Sequence, residues 1–149
     1  MIMSSIRILM LSTVGYLGIA IGLSNITIDK ELQPYYNDYV DQVKSQCKSS
    51  QYVTPRQLEI KFNNLEYPEI GVCKFNYFGR HIIEIDRGFW DRVSIIDKKT
   101  LFAHELVGHC MFHQGHSPNP NSFMYASFRH LSEEELNKQV TEYIKERCK

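Results

Sequence analysis

The chain has 149 residues, 17 basic and 17 acidic side chains, and 43% hydrophobic residues. That length suits one domain rather than two, and the apolar content can fill a packed core, which excludes a disordered chain. The balanced charge argues against a nucleic-acid binder, which carries a basic face, and against dependence on an acidic membrane surface.

The N-terminus differs from the rest. Arg7 precedes an uncharged apolar run over 8–23, broken only by Ser12, Thr13, Tyr16 and a few glycines. A basic residue followed by such a run suits a secretory signal, and Ala20-Ile21-Gly22 offers a small-x-small cleavage site. The run falls slightly short of the ~20 residues that span a bilayer. Left uncleaved, it would act as a signal-anchor, with the body exported. The expected organisation is therefore a signal peptide or signal-anchor over 1–23, a linker over 24–30 and a folded domain over 31–149. Cys47, Cys73, Cys110 and Cys148 all follow the run. Two disulfides in an exported chain, with three possible connectivities, are expected from that count.

Residues 31–49 read as a helix. Pro34 suits its first turn, and Leu32, Tyr35, Tyr36, Tyr39, Val40, Val43 and Cys47 recur at helical spacing. Leu58, Ile60 and Phe62 alternate with polar residues as a strand. Cys73, Phe75 and Tyr77 mark a second strand and 81–86 a third, joined as a hairpin around Phe78-Gly79-Arg80. A helix follows from Ser94 or Asp97 to Gln114, with Gly115 as its stop. A loop over 115–131 carries Pro118 and Pro120, and loops of that length inside a compact domain are usually functional. Ser132 and Glu135 form a capping box, with Leu131 and Leu136 as a staple, for a last helix over 132–147. This order of elements reads as α+β.

Five of the six histidines lie between His104 and His130. The densest stretch runs His104-Glu105-Leu106-Val107-Gly108-His109-Cys110-Met111-Phe112-His113-Gln114-Gly115-His116. Neutral imidazoles are good zinc ligands, and three protein ligands leave one position open for chemistry. Zinc lowers the pKa of water that it holds towards ~7, and a neighbouring carboxylate can take the proton and pass it to a leaving amine. Glu105 has the position of that general base, and His104, His109 and His116 are the candidate ligands.

These residues resemble the metzincin-like and gluzincin-like zinc peptidases with a His-Glu-x-x-His helix. They are most similar to small phage and bacterial metallopeptidases with a His-Glu-Leu-Gly-His-Cys helix, a third histidine seven residues on, and a Ser-x-Met segment, here Ser122-Phe123-Met124. The resemblance implies a small zincin-like domain, a short antiparallel or mixed sheet packed on the helix that carries the site. It further implies bound Zn2+, hydrolysis of a peptide or protein substrate (cell-wall peptides included), and a Met124 lying beneath the metal. His104 and His109 depart from the pattern, being five residues apart instead of four. On a regular α-helix a four-residue step turns about 40° and a five-residue step about 140°, so the two rings would diverge. One extra residue can be absorbed by a π-bulge, which Gly108 would ease. The segment is in this respect similar to the His-Glu-Leu-Leu-Gly-His helix of dipeptidyl peptidase III, whose third ligand is a distant glutamate.

Other residues receive plainer readings. His113 rivals His116 as third ligand because it lies four residues beyond His109; Gly115 favours His116 by ending the helix. Tyr125 reads as a half-buried tyrosine, His81 and His130 as surface or satisfied histidines, and Trp90 as core. Cys73 should lie on a strand against the motif helix, where Cys110 follows His109, so Cys73–Cys110 with Cys47–Cys148 is the favoured pairing. The strand over 82–86 is expected to border the cleft and offer its edge to an extended substrate. The alternative function is an exported, catalytically inactive binding protein whose metal site the extra Val107 has broken.

Overall fold

The computed structural model describes residues 25–149. The signal or anchor reading of 1–23 lies outside the described residues. Among the described residues no helix is long and apolar enough to cross a membrane.

The architecture is mixed α+β. Three strands come from the alternating segments: β2 (Gln57–Asn63), β3 (Gly71–Phe75) and β4 (Arg80–Asp86). A fourth, β1 (Asn25–Ile28), occupies most of the segment expected to be a linker. Its side chains are largely exposed, so no alternation of burial marks it in the sequence. The sheet order is β1-β2-β4-β3. β1, β2 and β4 run parallel, and β3 returns antiparallel beside β4. The β3–β4 turn closes at Gly79, whose φ of 80° lies where glycine is favoured. The Asn76 carboxamide oxygen accepts from Phe78 N and Arg80 N and fixes that turn.

This order corrects one expectation. β4 lies between β2 and β3, so its edges are paired and cannot receive a substrate strand. Among the described residues, the edge strand on that side is β3.

Helix α1 (Gln33–Gln46) starts on Pro34 and buries Tyr39, Val40 and Val43. α2 (Arg87–Trp90) is a single turn capped by the Asp86 side chain, which accepts from Phe89 N at 2.6 Å. α3 (Ile95–Phe102) opens with a capping box between Ser94 and Asp97 and leads without a break into a π-helical segment, Ala103–Met111. α4 (Glu133–Arg147) has the expected capping box, Ser132 with Glu135. The core joins Val43, Ile60, Ile83, Ile85, Phe102, Val107, Leu136, Val140 and Ile144, all at most 1% exposed. Trp90 is fully buried, as expected, and its indole N–H donates to Glu31 at 2.7 Å.

Both favoured disulfides are present. Cys47–Cys148 ties α1 to the end of α4, and Cys73–Cys110 ties β3 to the π segment. Closing loops of 101 and 37 residues restricts the unfolded chain by about 4–5 kcal/mol each in the chain-entropy account.

Candidate metal centre

The π segment answers the five-residue spacing. A π turn holds about 4.4 residues, so five residues end about 50° past a full turn instead of on the opposite face. The distortion covers nine residues, Ala103–Met111, rather than the single bulge expected. His104 and His109 therefore project together, with Nε2 atoms 2.9 Å apart. The chain then leaves the helix, and Ser117 N donates to Met124 O at 2.7 Å, which brings His116 back over the pair. One nitrogen from each of His104, His109 and His116 lies within 4.8 Å of the other two, a group that could hold a metal ion.

Hydrogen bonds to carbonyl oxygens set the tautomers. His104 Nδ1 lies 2.8 Å from Phe123 O, and His109 Nδ1 lies 2.6 Å from Gln114 O. A carbonyl accepts only from N–H, so each Nδ1 carries the proton and each Nε2 a lone pair. Two lone pairs facing at 2.9 Å repel each other unless a cation lies between them. Ligand nitrogens around tetrahedral zinc stand about 3.3 Å apart, close to this separation. Burial pushes the His104 pKa down to about 4, against the Phe123 hydrogen bond, and burial likewise lowers that of His109. Both imidazoles are thus neutral at pH 7, the form that ligates.

Glu105 is only 4% exposed, and its Oε2 has no hydrogen-bond partner among the described residues. Burial pushes its pKa up to about 8; Glu69 adds to the rise and the Cys73 backbone opposes it. Gly71 on β3 permits the close approach to this carboxyl, since a Cβ there would stand 2.9 Å from Leu101 and 3.0 Å from Glu105.

The site opens into a cleft of about 930 Å³. Leu65 and residues 67–73, the first three of β3 among them, line it together with Phe123 and 125–129. Tyr125 lines it as a half-buried tyrosine.

Met124 is 2% exposed and packs on Gly108. Gly108 thus serves close packing, where the sequence reading gave it a role in relaxing the helix. His113 is not in the trio. The helix has ended before it, its φ is 50°, and its ring stacks on Phe75 at 4.2 Å and meets His81 Nε2 at 3.1 Å. His81 is buried within that contact. His130 is largely exposed and paired with Asp97 at 2.8 Å.

Sequence reasoning missed Gln139. From α4 its Oε1 accepts from Phe123 N and its Nε2 donates to Asn121 O, both at 2.8 Å, which fixes the carbonyl that orients His104. Backbone acceptors such as Phe123 O and Gln114 O leave no mark in a sequence. No protein-family model, no curated protein and no solved structure matches the chain.

Proposed function

We propose that this chain is a zinc-dependent peptidase with a zincin-like domain, acting outside the cytoplasm. The observation that carries the reading is the convergence of His104, His109 and His116, with both helical tautomers set for ligation, beside the buried carboxyl of Glu105. Three imidazoles suit zinc and leave a coordination position open. Zinc held there would supply the Lewis acidity that makes water nucleophilic at neutral pH.

The chain's own groups do the rest. The free edge of β3 pairs with an extended peptide and lays its scissile bond across the cleft. In its ionised form, which a dication held by the histidines would favour against its burial, Glu105 takes a proton from the attacking water and returns it to the leaving amine. Its buried Oε2, unpartnered among the described residues, is the acceptor for that proton, and its burial keeps bulk water away from it. The two disulfides suit an exported protein.

The inactive-binder alternative rested on the extra Val107; the convergence of His104 and His109 across the π segment that carries this residue supports the hydrolytic reading over it. Elemental analysis of the purified chain, before and after chelation, tests the reading together with cleavage of a broad peptide library. About one zinc per chain and chelator-sensitive cleavage are expected. A chain that keeps full zinc and cleaves no peptide refutes it.

A further inference from the structure

The β3–β4 turn presents aromatic side chains to solvent. Tyr77 is fully exposed, Phe78 is 85% exposed, and Phe75 is 54% exposed. Residues 74–80 carry two cations, Lys74 and Arg80, and no acid; these cations pair with Glu84 and Glu59 on neighbouring strands. Arg56 packs its side chain beside Gly79 and makes no ion pair among the described residues. Adjacent exposed aromatics are unusual on a soluble surface. With a basic residue beside them they have the composition of a membrane–water interface, where rings sit among headgroups and cations reach outward.

The turn's place in the fold names the occupant. Asn25 N donates to Arg56 O at 3.2 Å, and Arg56 N donates to Gly79 O at 2.9 Å. Asn25, Gln57 and Arg80 form one row across the sheet. The start of β1 thus lies two strand spacings, about 10 Å, from the turn. The apolar run over 8–23 ends two residues before Asn25. The cleft extends away from the turn: its lining begins at Cys73, two residues along β3 from Phe75 and about 7 Å off, and reaches Asp86, six residues along β4 from Arg80 and about 20 Å off.

We propose that the Tyr77-Phe78 turn beds in the headgroup layer of the bilayer that holds the 8–23 segment, and stands the domain on that end. The cleft then opens to water, towards peptides beyond the membrane surface. A protein partner fits less well, since a stable interface covers about 800 Å² on each side and this projection is one short turn. The proposal rests on the anchor reading of 8–23 and is independent of the hydrolytic one.

The test uses the full chain reconstituted in vesicles of phosphatidylcholine and phosphatidylglycerol, with bromine placed high on the acyl chains. Phe78→Trp is compared with Tyr67→Trp, an equally exposed position on the cleft side; Trp90 is fully buried and common to both. About half or more of the emission added at position 78 should be quenched, as for a ring seated ~5–10 Å into the interface, with little quenching at 67. Tyr77→Trp should repeat the result. Equal quenching at 67 and 78, or none at 78 and 77, overturns the proposal and would place the turn in water or on a protein. A chain that fails to float with vesicles overturns it as well. None of these readouts uses metal or hydrolysis, so failure here is distinguishable from failure of the peptidase reading.

Discussion

Gly108→Ala probes how the loop supports the three-histidine group. A Cβ on Gly108 would stand 2.1 Å from Met124 Sδ and 2.2 Å from Met124 Cε, where ordinary contact begins at 3.4 Å. Met124 must therefore move by more than 1 Å, and at 2% exposure it has no open space to enter. Overpacking of this kind costs about 1–3 kcal/mol, offset by up to about 1 kcal/mol because Ala favours a helix over Gly. The expected net loss is about 1–2 kcal/mol, read from denaturant midpoints in chelator. The displaced segment also carries Phe123 O, the acceptor of the His104 ring, so zinc affinity should fall by about 10–100-fold. The control is Met124→Ala, which by itself costs about 2–5 kcal/mol but makes room for the new methyl. On that background Gly108→Ala should be neutral or stabilising. An unchanged zinc affinity in Gly108→Ala, or the same stability penalty with and without Met124, refutes the reasoning.

His116→Ala should release zinc in a competition titration far more readily than His113→Ala, because His113 is turned towards His81; the reverse ranking would make His113 the third ligand. Glu105→Gln should lower peptide cleavage by about 10²–10⁴-fold with zinc retained, and cleavage at the wild-type rate would remove Glu105 from the mechanism. The same variant has a stability signature in the metal-free chain. Because its folded pKa is raised to about 8, the carboxyl adds stability below pH 4.5 that is lost as pH rises through 8. Glu105→Gln should therefore gain on wild type between pH 5 and 8, by a few kcal/mol in order of magnitude, and parallel pH profiles would count against a buried carboxyl. Deleting Val107 restores the four-residue spacing but removes a fully buried side chain and turns Cys110 away from Cys73; lower stability and weaker zinc binding are expected, and a gain in either would mark Val107 as a defect. Replacing Cys73 and Cys110 by Ser should cost about 2–4 kcal/mol in unfolding free energy, and an unshifted denaturant midpoint would deny the bridge a stabilising role.

The sequence was legible wherever a residue's chemistry had one good use. Alternating β2 and β4, the helix start at Ser94, the capping box at Ser132 and the four cysteines each indicated their structure directly. β1 was hidden because an exposed edge strand needs only backbone hydrogen bonds, and Asn25–Ile28 buries almost nothing. The sheet order was hidden because β4 gains its second neighbour from a strand more than twenty residues away, which local alternation does not encode. Gln139 was hidden because one glutamine on a helix surface looks like any other until the loop that it holds is placed.

The π segment was announced by the histidines alone. Its apolar residues Ala103, Leu106, Val107, Cys110 and Met111 follow an ordinary α-helical stripe, and hydrophobic spacing gives no hint of distortion. Seven of its nine residues are buried, Glu105 and Gly108 among them, so packing encloses it on nearly every side. That enclosure is what a π-helix needs, because rare backbone states persist only where the surroundings over-determine them. Cys73–Cys110 fixes its last turn to β3, Val107 anchors it in the core, and Met124 closes against Gly108. An α-helix would satisfy the apolar stripe equally well. The convergence of His104 and His109, with the register that keeps Cys110 on Cys73, distinguishes the two backbones, so the histidine pair and the bridge, rather than the apolar stripe, are what the distortion serves.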